Sequence, residues 1–200
     1  MARVLLASQN AIKLEEARRI FADVAVIDLE LDEVQSPDPV VVVRHKLDQV
    51  LRAGLGAPVI VEDTGLAVRH WGGLPGALIK WFVEELGPAR LAGVLSADAD
   101  AGVGVGGSPA KGVMATATSA VGAAFCGESR VWAGSTQGRI VAPRGSLGGW
   151  TPVFEVGGTG KTLAEMTLDE RMTHTMRAEP FRLARAWLAA RAQAQAGDRG

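Results

Sequence analysis

Residues Pro58–Phe82, PVIVEDTGLAVRHWGGLPGALIKWF, constrain this chain more than any other stretch. Three of the four residues from Pro58 to Val61 are β-branched and apolar, which predicts a short buried strand. Two adjacent carboxylates follow, Glu62 and Asp63, and then Thr64 and Gly65. Acids at a strand end that opens into a glycine-rich loop are where α/β proteins place metal-assisted chemistry. Gly72, Gly73, Pro75 and Gly76 make the loop, and a helix carrying Lys80, Trp81 and Phe82 is expected beyond it. The same pattern is also that of an ordinary turn with exposed acids, so the flanking chain has to decide.

Upstream, Arg3–Ala7 reads as a strand, and a helix is expected from Ala11 to about Ala22. Ser8 or Asn10 is placed to cap that helix. Lys13 falls in its first turn, where a cation opposes the helix dipole unless an anion sits on the helix end. Asp23–Leu29 reads as a second strand, and the acidic stretch to Pro39 holds Glu33 and Gln35. A helix is expected over Pro39–Leu55, with Pro39 suited to its first turn. Further helices are expected after the glycine loop and over Pro88–Leu95. Strand and helix thus alternate, which predicts an α/β sheet core.

Ser96–Gly112 is rich in Gly, Ala and Ser and reads as a loop. Val113–Phe125 and Arg130–Val141 are expected as two strands paired through Cys126–Ser129. Trp150–Val156 is extended, and a last helix is expected from near Ala178 to about Ala194, with a frayed tail over 196–200. Gly158–Thr162, GTGKT, resembles the end of a phosphate-binding P-loop. The first glycine of that motif would fall at Glu155, so the motif is incomplete.

The chain has 200 residues, 48% hydrophobic and 22% charged, enough for one globular domain over residues 1–195. A net charge of −1 and the lack of a Lys/Arg run exclude a backbone-reading nucleic-acid protein. No stretch is long and apolar enough to predict a membrane span. The single cysteine excludes an internal disulfide and suits a reducing cytoplasm.

Seven motifs in order, ASQNAIKLEEA, DEVQS, VEDTGL, GGLPGALIKWF, GRIVAPRG, GWTPVF and TLAEM, resemble the inosine triphosphate pyrophosphatase family from Val4 to about Leu188. VEDTGL followed by GGLPG and IKWF is the specific part. The resemblance implies an elongated, two-lobed α/β protein with a central mixed sheet flanked by helices and its active site in the cleft between lobes. It implies a Mg²⁺-dependent homodimer that hydrolyses non-canonical purine nucleoside triphosphates to the monophosphate and pyrophosphate. Carried across, Ser8, Asn10 and Lys13 match the first-loop phosphate contacts. Glu33 and Asp63 match the metal-site acids, with Asp63 also at the attacking water and Thr64 beside it. Lys80 matches the lysine of the IKWF helix, and Arg177 the last residue of a Ser-His-Arg motif.

Physical chemistry agrees with that assignment. Mg²⁺ takes oxygen ligands shared between carboxylates and phosphates, and cations such as Lys13, Lys80 and Arg177 offset the triphosphate charge. Retention of these groups argues against a pure nucleotide-binding regulator. The departures fall on the base-reading side. Gly148-Gly149-Trp150-Thr151-Pro152 stands where the family has Phe-Gly-Trp-Asp-Pro, and Met176 replaces the histidine of Ser-His-Arg. Arg171 and Met172 stand for a Lys and an Asn, and His174 is two positions out of place. Trp150 and Arg177 are expected to pack and to donate to a purine, while Gly148 cannot stack and Met176 offers no strong donor. Altered base specificity is the expected consequence.

Overall fold

The computed structural model describes residues 3–97 and 112–197. Most of the 96–112 stretch and the end of the tail, both expected to lack regular structure, lie outside the described residues. Among those described, the elements are β1 (Val4–Leu6), α1 (Ala11–Arg18), β2 (Val24–Val26), α2 (Pro39–Arg52), β3 (Val59–Val68), β4 (Pro75–Gly76), α3 (Ile79–Ser96), β5 (Val113–Phe125), β6 (Glu128–Ile140), β7 (Phe154–Val156), α4 (Leu168–His174) and α5 (Ala178–Gly197). The strands form one mixed sheet of order β2-β1-β3-β5-β6-β7, with β4 paired to β3. β1 runs parallel to β2 and β3, whereas β3–β4 and β6–β7 are antiparallel. The α/β class with a central mixed sheet is therefore observed.

The chain divides into two compact units, one built from Met1–Asp63, Ser119–Gly134 and Met176–Gly200, the other from Thr64–Thr118 and Ser135–Thr175. In the first, α2 lays Val43, Leu47 and Val50 against Val59, Val61, Ala120 and Ala124. The buried positions of α2, Pro39, Val42, Val43, Lys46, Leu47 and Val50, keep helical spacing, and this burial overrides the poor helix propensity of four consecutive valines. Asp38 caps the helix, its Oδ1 accepting from Val40 N at 2.8 Å. In the second unit, Leu66, Ile79, Leu91, Leu95, Ile140, Phe154 and Leu163 are fully buried.

Three expectations need correction. The central strand does not end at Val61; β3 continues through Glu62 and Asp63 to Val68. Gly65 looks like a turn residue but lies within the strand, because a Cβ there would come within 2.8 Å of the Gly76 carbonyl carbon on β4. Helix α1 stops at Arg18 rather than near Ala22, since the last turn tightens to Arg19 N→Glu16 O and Ile20 N→Ala17 O bonds. A short helix, α4, forms over a stretch to which the sequence assigned no element. Thr167 and Glu170 make a reciprocal capping box at its start.

The β5–β6 hairpin turns on two residues, Cys126 and Gly127, at φ 52° and 77°. Helix α3 breaks at Gly87, φ 68°, immediately before Pro88, so the two expected helices abut.

Candidate active site

The first unit carries a buried cluster of alternating charge. Asn10 proves to be the cap of α1; its Oδ1 accepts from Ile12 N at 3.0 Å and Lys13 N at 3.3 Å, while Ser8 Oγ accepts from Asn10 N at 3.2 Å. This capped turn fixes Lys13, whose ammonium donates to the Glu62 carbonyl oxygen at 3.2 Å and pairs with Glu62 Oε2 at 2.6 Å. Glu62 Oε1 accepts from Ser119 Oγ at 2.7 Å and from Arg177 Nε at 2.9 Å. Arg177 in turn places Nη1 3.3 Å from Glu16 Oε2. Glu16, Glu62, Ser119 and Arg177 are all within the protein interior.

A second group adjoins through the next residue of β3. Lys46 Nζ lies 2.5 Å from Glu33 Oε1 and 3.7 Å from Asp63 Oδ1. Successive residues of a strand face opposite sides of the pleat. Accordingly, Glu62 is fully enclosed among cations while Asp63 keeps 16% of its side chain exposed. Asp63 Oδ2 is buried and has no hydrogen-bond partner.

These settings drive the two carboxylates apart. Burial alone would raise Glu62, but Lys13 and Arg177, with hydrogen bonds from Lys13 and Ser119, bring its pKa down to about 2. Burial raises Asp63 to about 6; Lys13 and Lys46 oppose this, while the charges of Glu62 and Glu33 add to it. Burial works against the Arg177 charge, yet Glu62 and Glu16 hold its pKa above the ordinary value. One acid is a fixed anion and its neighbour is a base poised near neutrality, the division of labour that acid–base sites require.

The donor set also bears on a metal. Among the described residues no group of three or more His, Cys, Asp and Glu side chains forms a metal cage. Glu33 and Asp63 converge on one ammonium, and Asp63 retains a buried oxygen without a partner. Two hard oxygen donors with open positions fit Mg²⁺, which usually completes its shell with water and substrate phosphate.

Ser8, Asn10, Lys13, Glu33, Asp63 and Arg177 thus belong to the first unit, and the structure adds Lys46, Glu16 and Ser119. Lys46 was detectable as a lysine on the apolar stripe of α2, between Val43 and Val50. Glu16 and Ser119 carry no comparable signal. Arg177, expected to donate to a base, places Nε on Glu62 and Nη1 on Glu16.

Thr64, Lys80, Trp150, Thr151 and Arg171 belong to the second unit. Lys80 is exposed at the start of α3, its Nζ 5.2 Å from the Trp81 ring centroid. The Trp150 indole is buried and meets Phe154 edge-on, centroids 5.8 Å apart. Thr151 is buried, and its hydroxyl donates to Gly148 O at 2.8 Å. Arg171 is buried within α4. The GTGKT segment is no phosphate loop: Lys161 pairs with Glu170 at 2.6 Å, and a 3-10 turn, Leu163–Glu165, replaces the helix.

Fold and site define the class first: a mixed α/β protein whose acid–lysine cluster suits a polyanion together with a hard cation. The chain belongs to the Ham1 family, whose sequence profile matches residues 4–187. It is 35% identical over 181 residues to an inosine triphosphate pyrophosphatase of Aspergillus oryzae, covering 88% of each chain. It is also 35% identical over 185 residues to one of Puccinia graminis f. sp. tritici, covering 84% of this chain and 88% of that protein. The Staphylococcus aureus Ham1 protein superposes with a TM-score of 0.69 at 22% identity, over 95% of this chain and all of that one, which establishes the common fold. No helix among the described residues is long and apolar enough to cross a membrane.

Proposed function

We propose that this protein hydrolyses purine nucleoside triphosphates of the inosine and xanthosine type, deoxy forms included, to the monophosphate and pyrophosphate. It is a hydrolase acting on phosphoric anhydrides, and it works with Mg²⁺, as a homodimer, in the cytoplasm. The observation that carries the reading is Asp63, a buried carboxylate with its pKa near 6 and an unpartnered oxygen, beside Glu33 and within reach of two lysine charges. The names of the relatives support the substrate class.

Asp63 accepts the proton of the attacking water, which its raised pKa equips it to do near neutral pH. Glu33 and Asp63 would hold the Mg²⁺, which would neutralise phosphate charge and acidify water. Lys13 and Lys80 bind phosphate oxygens, and Lys13 is kept in place by Glu62. Glu62, ionised throughout the working pH range, stays an anchor rather than a base.

Altered base preference is a second reading, favoured by the base side. Gly148 leaves open space where a side chain could stand, Met176 is buried, and the Thr151 hydroxyl is already committed to Gly148. Two polar readers of a base edge, each worth ~1–3 kcal/mol, are therefore replaced. The test is pyrophosphate release, with and without Mg²⁺, from inosine, xanthosine, guanosine and adenosine triphosphates, on the native chain and on Thr151→Asp. Expected are Mg²⁺-dependent release, weak discrimination of 6-keto from 6-amino purines, and sharper discrimination in Thr151→Asp. No release from any of the four would overturn the hydrolase reading. Strong native selectivity that Thr151→Asp leaves unchanged would overturn the base-side reading.

A further inference from the structure

Lys46 is an unusual residue for the buried face of a helix. Its neighbours on that face, Val42, Val43, Leu47 and Val50, are core residues, and its side chain is only 7% exposed. The apolar surroundings fix the stem, so the ammonium has little choice of position. That position is between Glu33 and Asp63, at 2.5 and 3.7 Å. These are the two carboxylates assigned above to the metal, and a cation of the chain's own already serves them.

An entering divalent ion therefore meets like charge. To take the carboxylate oxygens it must push the ammonium off them, and a side chain only 7% exposed gives that ammonium little water to turn to. An ammonium left buried without a counter-ion is strongly unfavourable. The penalty disappears if an anion arrives with the metal, because phosphate oxygens then compensate the displaced ammonium.

We infer that Lys46 is a built-in counter-ion that couples metal binding to polyphosphate binding. In the ligand-free protein it neutralises Glu33 and Asp63 and holds divalent ions off. With a polyphosphate present, the ammonium turns to the new anion and the carboxylates are released to the metal. The inference rests on the metal assignment to Glu33 and Asp63. Linkage makes the effect reciprocal: metal must strengthen polyphosphate binding by the factor by which polyphosphate strengthens metal binding. The outcome is a site that stays empty of metal until its substrate comes, and that discriminates against unchelated nucleotide.

The experiment measures Mn²⁺ binding to nucleotide-free full-length protein, by the paramagnetic resonance signal of unbound Mn²⁺. The forms compared are wild type, Lys46→Met, Lys46→Arg, and Lys46→Met combined with Glu33→Gln. Wild type and Lys46→Arg are expected to bind weakly, and Lys46→Met at least roughly tenfold more tightly, a difference of about 1.4 kcal/mol. Adding Glu33→Gln should remove the gain, which locates the bound ion. Equal dissociation constants for wild type and Lys46→Met overturn the inference.

A thermal-shift series on wild type is independent of whether Lys46→Met folds. Magnesium alone should hardly move the melting temperature, and magnesium with inorganic tripolyphosphate should raise it by more than the two separate shifts combined. A large shift with magnesium alone, or merely additive shifts, also overturns the inference. Pyrophosphate release by the wild type is read alongside. Normal Mg²⁺-dependent turnover with Mn²⁺ binding indifferent to Lys46 defeats only the counter-ion role. No Mn²⁺ binding in any form, with or without tripolyphosphate, defeats the metal assignment itself.

Discussion

Replacing Asp63 with Asn should raise stability and abolish turnover, and the gain in stability should depend on pH. The Asp63 pKa is raised from 3.8 to about 6, chiefly by burial. A carboxylate whose pKa is higher in the folded protein favours folding only while it is protonated. That contribution is complete below 3.8 and is lost as pH rises through about 6, so at pH 7.5 the ionised group opposes folding relative to its neutral form. The interval between the two values corresponds to ~3 kcal/mol. Asn is neutral at every pH and removes the penalty, less whatever its amide loses through unmatched hydrogen bonds. A net gain of ~1–3 kcal/mol at pH 7.5 is expected, roughly 2–10 °C in Tm for a chain of this size.

Near pH 3.5 the gain should vanish, leaving only the loss from unmatched amide hydrogen bonds. Melting in the presence of a chelator, across pH 3.5 to 8, checks this, and pyrophosphate release should fall by ~10²–10⁴ because the proton acceptor and a metal ligand go together. A variant that is less stable than wild type by the same amount at every pH would refute the electrostatic argument. Near-normal turnover would refute the catalytic assignment.

Glu62→Gln should behave in the opposite sense. The Glu62 pKa is lowered from 4.5 to about 2, so its stabilisation is present above 4.5 and lost as pH falls through about 2. Removing its charge leaves Lys13 and Arg177 facing a neutral amide and should cost ~3–5 kcal/mol at pH 7.5, seen as a lower urea midpoint. Lys13→Ala and Lys80→Ala should each weaken triphosphate binding by ~1.5–3 kcal/mol in calorimetry and leave nucleoside binding nearly unchanged; equal loss for both ligands would place these lysines away from the phosphates. Gly65→Ala should destabilise by ~1–3 kcal/mol, because its Cβ would lie 2.8 and 2.9 Å from backbone atoms of Gly76 and Ala77 that cannot move aside independently. A wild-type melting temperature in that variant would show that β4 yields more readily than the sheet suggests.

The sheet order was out of reach of the sequence, but most of its elements were not. β5 and β6 stood out as two long β-type runs around Cys126-Gly127, and α2 was marked at its start by Pro39. The misreadings have local causes. Gly65 carries the composition of a turn, yet it is needed where one backbone passes close to another, and such contacts leave no periodicity behind. Leu168–His174 is too short for a hydrophobic period, and only its Thr167-to-Glu170 box announces it. At the site, Lys13, Glu33 and Asp63 were legible through motifs. Glu16 and Ser119 were not, because they meet Glu62 and Arg177 from up to 161 positions away in the chain. Arg177 was placed by its motif, but its carboxylate partners could be known only from packing.

Those partners restrict how this chain can vary. Glu16, Arg177, Glu62 and Lys13 form a line of alternating charges, with Ser119 attached, in which each interior member answers to two others. A substitution at one position strands a charge at the next, whereas a compensating second change relieves it. Single substitutions at Glu16 or Arg177 should therefore mostly lower stability. Libraries that vary Glu16 and Arg177 together should recover folded combinations that neither single series contains. Sequence drift across this stretch of interior must then proceed by linked pairs, which makes the order in which changes arise matter as much as the changes themselves.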